Sequence, residues 1–255
     1  MLMFSFANGF EISDKDAQII AKKVWQNEGM GLDKYLIHWN KGENFASLGI
    51  GHFIWFYKGD KERFREVFPM FLEYLERKNI KLPNGLTSKS KLPWTSRKEF
   101  YKAKKSKSKE YQKIFNLLKK TKIYQAKFMA KRVERALDEI LKTINSNTKR
   151  ELISQRFNNL LYKNNKIDPQ GLYILIDYTN FKGEGTLKSE RYKGEGWGLL
   201  QVLENINPKI KNRYKAFALS AKYVLKRRVK NSPPKRGEKR WTRGWNKRLD
   251  GYTKK

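Results

Sequence analysis

The sequence predicts an α+β protein that is predominantly α-helical and carries a small β-hairpin. Apolar residues recur at helical spacing in several long segments, whereas residues 45–56 alternate with a period of two. The chain has 255 residues, of which 39% are hydrophobic and 14% are aromatic, so it can bury a core. We therefore expect a globular protein and not a disordered basic chain.

The first predicted helix begins at Ser13, where Asp16 lies three residues further on, as in a capping box. Its apolar stripe consists of Ala17, Ile20, Ala21 and Val24. Extending this stripe by one turn reaches Glu28, and glycines at positions 29 and 31 end the helix. The pattern therefore places the Glu28 carboxyl on the core-facing stripe at a helix end.

The period-two run after the polar turn at 40–42 predicts a strand or hairpin. One predicted face carries Ala46, Leu48, Ile50, His52, Ile54 and Phe56. Glu43 and Ser47 share the other face with Gly49 and Gly51, so we expect an open face beside uncrowded glycines. His52 falls on the packing face, which favours a hydrogen-bonded core histidine.

Further helices are predicted over 60–78, 124–144, 208–230 and 238–250. Asp168-Pro169 opens another helix, which is apolar almost all round and should be the central buried one. A glycine-rich loop and a short helix follow it, near residues 183–205. The basic segment near 86–122 is interpreted as a solvated helix face.

The net charge of +32, from 57 Lys and Arg against 25 Asp and Glu, predicts an anionic partner. Nucleic acid, anionic lipid and bacterial cell wall all fit this charge. Residues 209–255 form the strongest basic patch, with 18 Lys and Arg against 2 Asp and Glu. No stretch is long and apolar enough for a membrane span.

The opening "MLMFSFANGF" is similar to the end of a secretory signal without its basic region. We therefore predict that residues 1–9 are a signal remnant, that residues 10–255 form one domain, and that the protein is periplasmic or secreted. The alternative is an N-terminal strand or a frayed segment. With no cysteine and two histidines, neither a metal site nor a cofactor is expected.

A carboxyl group that faces the core is poorly solvated and can keep its proton near neutral pH, as a general acid must. Glu28 fits this role, and its glycine neighbours would let a bulky substrate approach the backbone. The alternative is an ordinary helix-terminal glutamate that points to water. Glu43 or Ser47, on the expected open face, would then orient a water molecule.

The order of segments resembles that of the phage-type lysozymes: a helix, then "NEG" at residues 27–29, a short turn, and "SLGIGH" at residues 47–52. The resemblance covers residues 14–56 and implies a lysozyme-like fold that cleaves β-1,4 links in peptidoglycan, with Glu28 as the general acid and Ser47 in the place of the family's threonine. One departure is that Lys41 stands where the family has an aspartate or cysteine, so Glu43 becomes the nearest second carboxylate. The basic insertion near 86–122 has no family counterpart.

A second resemblance concerns "GWGLLQV", residues 196–202, which is similar to a strip in the lytic transglycosylases. Glu184 precedes this strip as the catalytic glutamate of that family does. We expect Glu184, Trp197 and Gln201 to line the sugar cleft or to fix the loop. The sequence therefore predicts a peptidoglycan hydrolase. The alternatives are a lytic transglycosylase and a basic protein that binds the cell wall or nucleic acid without catalysis. Nucleic acid is not the expected partner.

Overall fold

The computed structural model describes residues 12–59 and 66–254, and it confirms a predominantly helical α+β fold with a small antiparallel sheet. The chain divides into two compact units, one from Ser13 to Met129 and the other from Ala130 onward together with Ile12. The predicted signal remnant, residues 1–9, lies outside the described residues.

The first unit begins with helix α1, Asp14–Gly29. A three-stranded antiparallel sheet follows, with strands β1 Ile37–His38, β2 Phe45–Leu48 and β3 Phe53–Phe56 in that order. The helices after the sheet are α2 Phe68–Arg77, α3 Arg97–Ser106 and α4 Lys109–Lys120. The basic insertion therefore forms two regular helices, α3 and α4.

Helix α1 follows the sequence prediction closely. The Ser13 side chain accepts a hydrogen bond from the Asp16 backbone N–H, and the predicted stripe residues are buried. The helix ends in a left-handed residue, Met30, with a φ of 53°. These local signals fix where Glu28 lies, in the last turn of the helix.

Helix α5, Lys122–Lys142, contains the boundary between the units. The second unit continues with α6 Asn147–Leu161, the hairpin of β4 Tyr162–Lys163 and β5 Lys166–Ile167, and α7 Pro169–Lys182. A second hairpin, β6 Arg191–Tyr192 and β7 Glu195–Gly196, leads to α8 Leu199–Glu204, α9 Arg213–Asn231 and α10 Thr242–Asp250.

Helix α7 is the buried central helix of the second unit, as predicted, since Gly171 to Thr179 are all buried. Its Asp177 is fully buried and accepts two hydrogen bonds from Arg248, each 2.7 Å long, and one of 2.6 Å from the Tyr252 hydroxyl. This network satisfies the buried Asp177 carboxylate and joins α7 to α10.

Candidate active site

Glu28 lies in the last turn of α1 and faces the hairpin formed by β2 and β3. Its side chain is 13% exposed, and Oε2 lies 3.3 Å from Nδ1 of His52. The carboxylate is thus partly buried without being sealed in the core. It contacts the imidazole of His52, on the turn between β2 and β3.

Gly29 was expected to let a substrate approach the backbone. In the structure it instead makes room for a side chain of α1. A Cβ at position 29 would lie 2.1 Å from the indole ring of Trp25, which is itself 4% exposed. The indole therefore occupies the space beside this glycine. The prediction that the glycines next to Glu28 leave the backbone open is wrong for Gly29, because a side chain one turn earlier fills the gap.

His52 belongs to the turn between β2 and β3, where its φ of 49° is left-handed. Its side chain is 29% exposed and contacts Glu28, so it is a partly exposed site residue and not the core histidine that the alternation predicted. The alternation fails here because β2 ends at Leu48 and β3 begins at Phe53, which leaves positions 49–52 outside either strand.

Gln125 of α5 fixes this turn, a role that no local pattern around residue 125 predicts. Its side-chain oxygen accepts a hydrogen bond of 2.8 Å from the Ile50 N–H, and its amide donates to the Leu118 carbonyl at 2.8 Å. Gln125 is fully buried. A Cβ at Gly49 would lie 2.3 Å from the Gln125 oxygen, which explains the glycine.

The expected open face beside Gly49 and Gly51 does not exist. A Cβ at Gly51 would lie 2.6 Å from the Phe53 ring and 2.7 Å from the Met129 sulfur. Ser47 is 7% exposed and stands between His38 and Ile54 in the sheet register. All four residues of β2 are buried, so both faces of the strand are packed and the glycines admit neighbouring side chains.

Glu43 lies in the loop before β2, and the Asn40 side chain links its carboxyl to His38. Asn40 Nδ2 donates to Glu43 Oε2 at 3.1 Å, and Asn40 Oδ1 lies 2.8 Å from His38 Nε2. Burial raises the pKa of the Glu43 carboxyl, while the Asn40 hydrogen bond and the nearby His38 oppose this shift. Glu43 is therefore a desolvated carboxyl whose orientation is set by a His38–Asn40 chain.

Helix α3 of the basic insertion holds the segment that carries His38 and Asn40. Lys104 Nζ donates to the carbonyls of Lys34 and Ile37 at 2.6 and 3.2 Å, and Arg97 Nε donates to the Trp39 carbonyl at 3.0 Å. Burial lowers the pKa of Lys104. Most lysines of the insertion are exposed, as a solvated face predicts. Lys104 and Arg97 also secure the backbone before Glu43.

Trp197 of the glycine-rich loop and Gln201 of α8 are buried residues of the second unit. Gln201 accepts from the Gly198 N–H at 3.0 Å and donates to the Gly185 carbonyl at 3.1 Å. Trp197 is 6% exposed, with its ring 4.5 Å from that of Tyr192. Of the two roles expected for these residues, the observed contacts are those of fixing the loop.

Glu184 lies in the same loop, partly exposed. Burial raises the pKa of the neighbouring Glu190, and the Glu184 charge adds to this shift. Glu190 Oε2 accepts a hydrogen bond of 3.2 Å from the Leu187 N–H. These carboxyls belong to the second unit, whereas Glu28 and Glu43 belong to the first.

Within residues 12–59 and 66–254, no group of three or more His, Cys, Asp or Glu side chains is arranged to hold a metal ion. No helix in the same ranges is long and apolar enough to cross a membrane. The chain matches no protein-family model, no curated protein and no solved structure. Its function must therefore be inferred from the chemistry of its own residues.

Proposed function

We propose that this protein is a lysozyme-like glycoside hydrolase that cleaves β-1,4 links in peptidoglycan. The observation that supports it most is the contact of the partly buried Glu28 carboxylate with His52 at 3.3 Å. A carboxyl at a helix end that faces the turn of a hairpin is the arrangement implied by the resemblance to phage-type lysozymes. The resemblance supplies the substrate class, and the contact supplies the candidate acid.

In this proposal Glu28 donates its proton to the glycosidic oxygen as the bond from that oxygen to the sugar carbon breaks. Positive charge develops on the sugar ring, and a water molecule then attacks the carbon. His52, whose Nδ1 lies 3.3 Å from Glu28 Oε2, holds the carboxyl in one orientation. His52 is a positioning residue in this scheme, since it acts through Glu28.

Glu43 is the proposed second group, which takes a proton from the attacking water. Burial raises the pKa of its carboxyl, and a base accepts a proton more readily as its pKa approaches the working pH. The partial exposure of Glu43 also favours it over Ser47, which is 7% exposed. Ser47 is the alternative group for orienting water.

The proposed partner is the anionic cell wall, and the proposed location is the periplasm or the cell exterior. A net charge of +32 attracts a wall that carries carboxylate and phosphate groups. Fractionation of the native cells tests the location. Recovery of the full-length chain in the cytoplasmic fraction alone would contradict a secreted hydrolase.

Loss of turbidity of purified peptidoglycan tests the activity. The wild type should clear the suspension, and Glu28→Gln should be slower by about 10²- to 10⁴-fold, the range typical of a lost general acid. Glu110→Gln is a matched control, because Glu110 is an exposed glutamate of the same unit. Equal clearing by Glu28→Gln and the control would contradict the assignment of Glu28.

A lytic transglycosylase is the closest alternative. Mass analysis of the released fragments separates the two chemistries, since hydrolysis yields reducing ends and a transglycosylase yields anhydro sugars. The Gln201 contacts within the loop do not favour the alternative, because both ends of the side-chain amide are already hydrogen-bonded. Glu184→Gln is the variant that should be inactive if the alternative holds.

A binding protein without catalysis is the second candidate, and the exposed aromatic residues of the C-terminal segment favour it. Trp241 is 52% exposed, with the Arg240 guanidinium 5.1 Å from its ring. Exposed aromatic rings beside cations can stack on the bases of single-stranded nucleic acid. Tight binding of single-stranded DNA that is lost in Trp241→Ala, with no clearing of peptidoglycan by the wild type, would establish this candidate.

A further inference from the structure

Lys182, the last residue of α7, lies between two aromatic rings. Its Nζ is 3.9 Å from the centroid of the Phe181 ring and 3.7 Å from that of Trp245. Across the described part of the chain, no hydrogen-bond acceptor or carboxylate contacts this amine. Its partners are thus the faces of two rings, and it lacks a counter-charge.

The neighbouring guanidinium groups each have a carboxylate of their own. Arg228 donates two hydrogen bonds to Glu238, of 2.7 and 2.9 Å. Arg248 likewise donates two hydrogen bonds to Asp177. Glu238 also accepts from the Tyr192 hydroxyl, which in turn accepts from Arg236. Arg228 and Arg248 are thus each paired with a carboxylate, whereas Lys182 contacts none among the described residues.

Burial lowers the pKa of Lys182 to about 6, and the positive charges of Arg228 and Arg248 add to this shift. The Glu238 charge opposes it. An exposed lysine has a pKa near 10.4, so an ordinary lysine is charged at neutral pH whereas Lys182 is largely neutral. An anion placed beside the amine would favour the charged form again.

We propose that Lys182, with the rings of Phe181 and Trp245, forms a binding site for a carboxylate group of a ligand. One amine without a counter-charge suits a single negative charge. A phosphate dianion is better served by a free guanidinium fork, and both forks here are engaged. The flanking rings lower the local dielectric, which strengthens the attraction between amine and carboxylate.

Lys182, Arg228, Arg248, Asp177 and Glu238 are called the Lys182 cluster. The inference that the ligand carries a carboxylate follows from this cluster and does not depend on the proposed function. Identifying the ligand as a carboxylate-bearing sugar of peptidoglycan rests on the proposed function. Binding at this site has a further consequence, because the amine must gain a proton to pair with the anion. Near pH 7.5 we expect uptake of roughly one proton for each carboxylate bound.

Calorimetric titration of N-acetylmuramic acid into the Glu28→Gln protein measures this uptake. Run near pH 7.5 in two buffers with different heats of ionisation, the apparent enthalpy should differ by the heat of roughly one proton. N-acetylglucosamine, a neutral sugar, should give no proton uptake. Absence of carboxylate binding, or binding without proton uptake, would overturn the proposal.

Three variants assign the effect to Lys182. Lys182→Met should weaken carboxylate binding by about tenfold or more and abolish the proton uptake, whereas Lys182→Arg should bind without uptake because arginine stays charged. Lys188→Met, at an exposed lysine of the following loop, is the matched control. Thermal unfolding verifies that each variant folds, and equal binding by Lys182→Met and the control contradicts the proposal.

These outcomes are separable from those of the proposed function. Proton-linked binding by Glu28→Gln together with an inactive wild type would overturn only the hydrolase. Normal clearing of peptidoglycan by a Lys182→Met protein that still binds N-acetylmuramic acid would overturn only the carboxylate site.

Discussion

At the residue scale, the chemistry proposed for the first unit depends on how two carboxyls are oriented by their neighbours. Glu28 contacts His52, and Glu43 is held by Asn40, which in turn contacts His38. Each contact removes rotational freedom from a side chain that, in the proposed mechanism, meets the substrate in one geometry. The same contacts provide variants that alter orientation or proton affinity without removing either carboxyl.

His52→Asn should lower kcat by about 10- to 100-fold and leave KM unchanged, because it removes the group that orients Glu28. Asparagine tolerates the left-handed backbone that His52 adopts, so the turn should be preserved. Steady-state kinetics and thermal unfolding of both proteins check this. A fall in kcat matched by a large loss of stability would point to a structural role instead.

Asn40→Ala should move the acidic limb of the pH profile of kcat/KM to higher pH. Asn40 lowers the pKa of Glu43 through its hydrogen bond, so its removal raises that pKa further. A base works in its ionised form, and activity is therefore lost as the pH falls through its pKa. An unchanged limb would mean that Glu43 is not the base.

At the element scale, the turn of the hairpin is held by a side chain from a distant helix. Gln125 and Ile50 are 75 positions apart in the sequence, yet their hydrogen bond fixes the loop between β2 and β3. The insertion helix α3 does the same for residues 34–39. The hairpin is thus positioned by elements that follow it in the chain.

Gln125→Leu should lower the free energy of unfolding by about 1–3 kcal/mol, because the buried N–H of Ile50 loses its acceptor. Urea denaturation measures the loss. Gln112→Leu is the matched control on α4, since the side chain of Gln112 makes no such contact with the turn. Equal stability of the Gln125 and Gln112 variants would show that the hydrogen bond between Gln125 and Ile50 contributes little to the free energy of unfolding.

Sequence patterns predicted the elements whose signals are local. The Ser13 cap, the Asp168-Pro169 start and the apolar run of α7 each depend on neighbouring residues, and the structure follows all three. Helix α6 was not predicted, as its buried stripe holds only Ile153, Phe157, Leu160 and Leu161 among 15 residues.

The packing of the site could not be predicted in the same way. Period-two alternation treats residues 45–56 as one extended run, but Gly49 has a φ of 72° and ends it. Glycines beside Glu28 and in the turn are also ambiguous in sequence, since a gap can admit a substrate or a neighbouring side chain. Trp25 and Gln125 fill these gaps, and that outcome depends on tertiary contacts.

At the scale of the whole molecule, the excess of positive charge is divided between internal contacts and the surface. Arg227, Arg228 and Arg248 pair with carboxylates of the second unit, whereas Lys226, Lys230 and Lys239 are exposed. The exposed lysines leave most of the net charge of +32 available to an anionic polymer.

Raising NaCl from about 0.05 M to about 0.5 M should therefore slow the clearing of intact peptidoglycan steeply, because salt screens exposed charges beyond roughly a Debye length. Cleavage of a neutral chito-oligosaccharide should change much less. Assays of both substrates across the salt series make the comparison. An equal fall for the two would indicate that salt acts on catalysis and not on attraction to the wall.

If Glu28 supplies the proton to the leaving group, its removal should affect two substrates with different leaving groups unequally. The rate of Glu28→Gln relative to wild type should fall by about 10²- to 10⁴-fold on the natural glycan, whose leaving oxygen needs a proton. On an aryl glycoside whose leaving group departs without a proton, the rate of Glu28→Gln should stay near the wild-type rate. Equal losses on both substrates, or no loss on either, would contradict the claim.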